Sequence, residues 1–330
     1  LKPFLLNTGI AQQPQPSHAA SAARPRRPRC RHRDSLSRRN ALSRRTLRPT
    51  DTRMKSFPAY LQRIGLSDTQ PKADVATLTL VMLAHSRAIA FENCDVVMGK
   101  AISMARSDVE KKLVDAARGG YCFEQNTLLQ MALEEIGFDV MPLLCRVRWN
   151  KPDDAAEPNS ALTHFALRVT TDAGLFLADV GFAGTNSVAP VSLATAEPQA
   201  LPEGQFRVVE GTFPRYLVLQ LLVKGAWRPL YEWRDERAAL ADQECANWFS
   251  CTYPSARFTT SFFACRIVGD ERHHILNGDY VVRRGHGADS EVTTVRVADK
   301  AHLLRLIDSV FGIKLPEEEA VGLDRYLAKG

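Results

Sequence analysis

The sequence predicts an α+β protein of more than one domain, because the spacing of its apolar residues changes along the chain. Up to about residue 145 the apolar positions recur at helical spacing. From Asp139 they alternate as in strands, and beyond about residue 251 short strands lead into a closing helix. At 330 residues and 45% hydrophobic, the chain is long enough to bury a sizeable core.

Taken in order, helices are expected over residues 58–64 and 73–85, the second with Val75, Leu78, Val81, Met82 and His85 on one stripe. A third covers 107–116, where Ser107-Asp108-Val109-Glu110 reads as a capping box. A fourth runs through 127–136, with Leu128, Leu129, Met131, Ala132, Leu133 and Ile136 as its apolar positions and Gly137 as its stop. Strands are expected over 143–149, 162–170, 175–180, 206–209 and 216–223. A later group covers 262–268, 279–284 and 292–297, followed by a helix over 300–311. Asn277-Gly278 marks a turn between the first two strands of that later group.

The chemistry centres on Arg118-Gly119-Gly120-Tyr121-Cys122-Phe123-Glu124-Gln125-Asn126. The two glycines permit a tight turn with the backbone close to whatever binds there. Cys122 then falls in the first turn of a helix, where the dipole and free amides favour a thiolate, with Arg118 adding positive charge. A thiol nucleophile needs a base. Thr163-His164-Phe165-Ala166-Leu167-Arg168-Val169 alternates as a half-buried strand with His164 on the face opposite Phe165, Leu167 and Val169. A turn at Asp172-Ala173-Gly174 returns the chain through 175–180, which brings Asp179 to the same open end of the hairpin as His164. A carboxylate there would orient the imidazole, completing a nucleophile, base and orienter. Each residue also has a plainer reading, as a buried thiol, a strand histidine and a turn aspartate; it is the combination that points to catalysis.

Composition excludes several classes. Seven cysteines at irregular spacing do not make a disulfide scaffold and suit a reducing, cytoplasmic setting. No apolar run is long enough to span a membrane, and no Cys or His spacing resembles a zinc site. The net charge of +6 is local: residues 1–53 hold 13 basic and two acidic side chains, whereas the rest of the chain is net −5. That Arg-, Ser- and Pro-rich tail is expected to be disordered. Three readings compete for it: an organelle presequence, an arm for nucleic acid, and sequence translated ahead of a start at Met54, the one we favour. The acidic remainder argues against a nucleic-acid-binding protein.

The nucleophile motif at 118–126 closely resembles that of the arylamine N-acetyltransferases. Thr-His-Phe-Ala-Leu-Arg-Val at 163–169 and Ala-Asp-Val-Gly-Phe at 178–182 resemble the family's histidine and aspartate motifs. The segment from Phe57 to Gly65, His85 with Phe91-Glu92-Asn93, Pro229-Leu230-Tyr231-Glu232-Trp233 and the run from Ala246 through Phe258 resemble its other landmarks. The likeness extends in order from about Met54 to the C-terminus.

Behind the tail over 1–53, whose composition predicts disorder, this resemblance implies a helical bundle over 54–145, a β-barrel over 146–250 and an α/β lid over 251–330. It also implies a triad like that of cysteine proteases and transglutaminases. The implied activity is acetyl transfer from acetyl-CoA, without a metal, to an aromatic amine, arylhydrazine or N-hydroxyarylamine, through acetyl-Cys122 with His164 and Asp179 as base and orienter. Arg118 is implied to pair with Glu92 and pin the nucleophile loop, with Asn93 nearby. Gly181, Phe182, Gly184 and Thr185 are implied to border the CoA site, the glycines offering amides to a phosphate and Phe182 walling the pocket. Ala183 stands where many relatives carry glycine, and the stretch 151–160 is slightly long for a bacterial-type member. The alternatives are an amide synthase or other acyltransferase of the same triad, a cysteine hydrolase, and, of a different class, a nucleic-acid binder acting through the tail. Monomer and homodimer both remain open.

Overall fold

Helix α5 (Cys122–Ile136) is buried along most of its length, at twelve of its fifteen residues. We describe it from a computed structural model that places residues 54–151, 160–285 and 290–328. The Arg-rich segment 1–53 and most of the polar stretch 151–160 lie outside the described residues.

The helices ahead of α5 begin where short polar side chains cap them. The Ser56 hydroxyl accepts from Ala59 N at the start of α1 (Phe57–Arg63), and Asp74 accepts from Thr77 N at the start of α2 (Val75–Ala88). The α2 stripe buries Leu78, Val81, Met82 and His85, as its spacing predicts. Strand β1 (Phe91–Glu92) and the short α3 (Cys94–Val97) follow. Next comes α4 (Arg106–Glu110), which widens into a π-helical turn over Lys111–Asp115. The capping box expected at Ser107 does not form. The N-cap is Ala105, two residues earlier, and Glu110 instead accepts from the backbone amides of Lys55 and Ser56. Such a reach-back contact occurs at α5, where Glu124 accepts from Tyr121 N at 3.0 Å.

Eight strands form a sheet in the order β5-β4-β3-β2-β9-β8-β7-β6. They are β2 (Asp139–Val147), β3 (Leu162–Thr171), β4 (Gly174–Ala178), β5 (Val191–Ser192), β6 (Gln199–Leu201), β7 (Gly204–Glu210), β8 (Tyr216–Val223) and β9 (Ala226–Arg234). The sheet curls into a nearly closed barrel. Its two edges meet where the Gln199 side chain accepts from Ser192 N and donates to Ser192 O. The interior is filled by Leu143, Cys145, Ala166, Phe206, Tyr231 and Trp233 among others. Strand β2 begins at Asp139, so the sheet draws its first strand from ahead of residue 146.

Strand β3 is buried on both faces rather than one. Ala166 faces the barrel core, while Phe165, Leu167 and Val169 join the core around α5, where the Phe123 and Phe165 rings stack 5.9 Å apart. Each such buried side chain stabilises the fold by about 1.5–3 kcal/mol, and the stacked pair adds about 1 kcal/mol.

After β9 come α6 (Leu240–Thr252) and α7 (Arg257–Thr260). A second sheet in the order β1-β10-β11-β12-β13 is built from β10 (Phe263–Val268), β11 (Glu271–Leu276), β12 (Asp279–Arg284) and β13 (Glu291–Arg296), with β1 at its edge. Helix α8 (Lys300–Ser309) packs Leu303 and Ile307 into the core beside it. The Asn277-Gly278 turn joins β11 to β12, so one strand more than expected precedes it. No helix among the described residues is long and apolar enough to cross a membrane.

Candidate active site

The loop before α5 is held close against β1. Glu92 N donates to Gly120 O at 3.0 Å and Gly120 N donates to Ala90 O at 3.3 Å. A β-carbon on Gly119 would lie 2.2 Å from the Ala90 carbonyl oxygen, so the neighbouring backbone by itself requires glycine here. Cys122 is the first residue of α5 and is 2% exposed. Its Sγ lies 3.8 Å from Thr163 O and accepts from the backbone amide of Phe165, so it meets the chain on both sides of His164.

His164 and Asp179 meet at the open end of the β3–β4 hairpin, whose register pairs Leu167 with Ala178 and Thr171 with Gly174. His164 Nε2 is 2.7 Å from Asp179 Oδ2. Asp179 Oδ1 accepts from Asn126 Nδ2 at 2.9 Å and from Gly181 N at 2.8 Å. Burial opposes charge on this carboxylate, but His164, Asn126 and the Gly181 amide outweigh it and hold its pKa below the usual range. An ionised carboxylate only accepts, so Nε2 carries the proton and Nδ1 is left as the basic nitrogen. The imidazole packs against the rings of Tyr231 at 4.7 Å and Phe182 at 5.0 Å.

The helix N-terminus does not make Cys122 a thiolate by itself. Burial pushes the thiol up, and the charge of Asp179 adds to this; the amides of Phe165 and Phe123 only partly offset them. Nor is Arg118 available to the sulfur. Its guanidinium binds Glu92 Oε1 at 2.8 Å and Asp95 Oδ1 at 3.3 Å. Burial works against the Arg118 charge, yet Glu92 and Asp95 raise its pKa overall. Lys112 joins this cluster, 2.6 Å from Asp95 and 2.7 Å from Glu124. Glu92 also accepts from Cys94 N at 2.6 Å. Asn93 turns away from Arg118. Its amide donates to Phe258 O and Ser261 O and accepts from Phe263 N, tying this loop to α7 and β10.

The loop after Asp179 divides in two. Gly181 is pressed against Cys122, its amide already used by Asp179, and Phe182 covers His164. Gly184 and Thr185 face a cleft of about 50 Å³ shared with Asn186, Glu203, Arg272 and Arg283. Thr185 Oγ1 is buried without a hydrogen-bond partner among the described residues. The six described cysteines are all free thiols. Among the described residues no three His, Cys, Asp or Glu side chains are placed to hold a metal ion.

Two contributors escaped the sequence reading as site residues. Asn126 fixes both strands of the hairpin: its Nδ2 donates to Phe165 O as well as to Asp179, and its Oδ1 accepts from Val180 N at 3.0 Å. Its position four residues after Cys122, on the same helix face, is a signal that was available. Tyr231 lies within a landmark segment, and nothing local in the sequence marks its contact with His164.

An N-acetyltransferase family model matches residues 74–320. An arylamine N-acetyltransferase of Mycolicibacterium smegmatis is 35% identical over 259 residues, covering 78% of this chain and 91% of that protein. An arylamine N-acetyltransferase / N-hydroxyarylamine O-acetyltransferase of Salmonella typhimurium is 34% identical over 242 residues, covering 72% of this chain and 82% of that protein. The structure of Mycobacterium marinum arylamine N-acetyltransferase in complex with CoA superposes with a TM-score of 0.75 at 31% identity, covering 82% of this chain and 98% of that one. With this match over most of its length, the chain belongs to the arylamine N-acetyltransferase family.

Proposed function

We propose that this protein transfers the acetyl group of acetyl-CoA to aromatic amines, arylhydrazines or N-hydroxyarylamines by a ping-pong route through acetyl-Cys122. The observation that carries the reading is the placement of Cys122 Sγ against the backbone on both sides of His164, whose Nε2 is fixed by Asp179. Burial opposes the thiolate, so Cys122 ionises by passing its proton to His164 Nδ1, and the resulting thiolate–imidazolium pair attacks the thioester. The Cys122 Sγ–carbonyl bond then forms, the bond to the CoA sulfur breaks, and the imidazolium returns its proton to the departing thiolate. In the second half the acceptor nitrogen attacks the acetyl-Cys122 carbonyl, gives its proton to Nδ1, and Cys122 is released. Asp179 holds the tautomer and stabilises the imidazolium.

In this reading Arg118 and Glu92 brace the loop from behind, and Asn93 links it to a lid formed by the second sheet and α8. The Gly184–Thr185 cleft suits part of the CoA donor. Thr185 Oγ1 has a hydrogen bond to give, and Arg283 supplies positive charge for a phosphate. The donor assignment draws support from the CoA-bound relative of Mycobacterium marinum, and the arylamine and N-hydroxyarylamine acceptors from the name of the Salmonella protein.

Intact mass spectrometry with peptide mapping tests the proposal. Mixing with acetyl-CoA alone should add one acetyl group at Cys122, which an aniline or arylhydrazine discharges, and Cys122→Ala should take up none. An acetyl group on another residue, or none on the folded protein, would sink it.

A further inference from the structure

We infer that His85 is a positioning residue for Cys122, acting through Gln125 on the turn that presents the nucleophile; the inference rests on the acetyl-Cys122 reading. Tyr60 of α1, His85 of α2 and Gln125 of α5 are each wholly inaccessible to solvent and form one chain of hydrogen bonds. The Gln125 amide nitrogen donates to Ala90 O at 2.7 Å and to Gly120 O at 3.2 Å. Its Oε1 can therefore only accept, and the 2.7 Å contact to His85 puts the proton on His85 Nε2. His85 Nδ1 is left as the acceptor for the Tyr60 hydroxyl at 3.0 Å. Every polar atom is matched in one orientation only. Burial, with Arg63 as the charged group acting on the ring, keeps His85 neutral down to about 4, so the arrangement is constant across the neutral range.

The two carbonyls that Gln125 holds are those that join β1 to the Gly119-Gly120 turn, and Gly120 stands two residues before Cys122. Burying three polar side chains carries a desolvation cost that an apolar trio would avoid. What the polar chain adds is direction: it fixes the Gln125 rotamer, hence the Gly120 carbonyl, hence the first residue of α5 relative to Phe165 and His164.

The test compares His85→Gln, which offers one donor and one acceptor, with His85→Phe, which keeps a ring and offers neither. Tyr60→Phe serves as a milder break. Two rates are read at pH 7.5 on the full chain: single-turnover acetylation of Cys122 at saturating acetyl-CoA, and alkylation of Cys122 by iodoacetamide. His85→Phe should slow both by about 10- to 100-fold, leave KM for acetyl-CoA within about twofold, and be rescued by His85→Gln. Tyr60→Phe should slow both about threefold. Should His85→Phe fail to fold, Tyr60→Phe and His85→Gln decide the matter by the same rates. Wild-type rates in folded His85→Phe, or no slowing in Tyr60→Phe where His85→Phe does not fold, would overturn the inference. So would a His85→Gln variant as slow as His85→Phe at a wild-type melting temperature. If the wild type takes no acetyl group but alkylation follows the expected pattern, the donor assignment fails and the positioning role stands.

Discussion

Gly181 and Cys122 touch through their backbones: a β-carbon on Gly181 would lie 2.7 Å from Cys122 Cα and 2.8 Å from Asn126 Nδ2. Neither neighbour is the loose end of a side chain, so a substitution must move the helix start or the Asp179 loop. We expect Gly181→Ala to fold but to lose about 100-fold in the rate of Cys122 acetylation, the scale of a misplacement of about 1 Å. Single-turnover kinetics, with circular dichroism to establish folding, check this; a rate within threefold of wild type would contradict it.

Asp179→Asn places an amide where His164 Nε2–H needs an acceptor and where Asn126 and Gly181 donate. The imidazole then loses its fixed tautomer. A fall in kcat of roughly 10³- to 10⁴-fold is expected, measured at saturating donor and acceptor. A variant keeping a tenth of wild-type kcat would show that the carboxylate does not orient the base.

Glu92 has no exposed side-chain surface and Arg118 only 11%, so removing one partner strands a buried charge. Arg118→Met should cost about 3–5 kcal/mol of stability, read from urea unfolding monitored by fluorescence. The same change made in a Glu92→Gln background should cost much less. Equal losses in both backgrounds would mean that the pair is not coupled.

Stability should also depend on pH through His85. An unfolded histidine titrates near ~6.5, whereas the buried ring does so at about 4. Between these values the unfolded chain binds a proton that the folded one refuses. Stability from this group is therefore full above about 6.5 and is lost as pH falls toward 4, by roughly 3 kcal/mol. Asp179, held below its ordinary value, loses its contribution only further into acid. Between pH 7.5 and 4.5 the denaturation midpoint of wild type should fall further than that of His85→Gln, with the slopes of the two proteins alike. An identical acid loss in both proteins would remove His85 as its source.

The meeting of His164 with Asp179 is legible in the sequence because a hairpin's geometry depends on its turn, and Asp172-Ala173-Gly174 marks that turn clearly. The α2 stripe and the limits of β8 and β12 are legible for a similar reason, since each has a clean period bounded by polar residues. Helix α6 is not: it mixes polar residues with Trp248, Phe249 and two cysteines, and Ala239 caps it with no side-chain bond. Strand β11 hides behind Glu271, Arg272, His273 and His274, of which Arg272 is buried by ion pairing with Glu203 rather than by apolarity. The burial of the Cys122 thiol is not legible, because a helix terminus is a local signal. The burial that opposes it comes from β3 and the Asp179 loop, more than 40 residues away in sequence.

Strand β1 is two residues long, and its partner in the second sheet is β10, with Phe91 opposite Cys265 and Glu92 opposite Ala264. During synthesis the segment that braces the cysteine loop therefore waits for more than 170 further residues before its own edge is satisfied. The thiol is made early and set late. A nascent chain or a C-terminal truncation ending before Phe263 would carry the cysteine loop on a brace whose outer edge is still unpaired, so β1 should be firm only once the chain has passed β10.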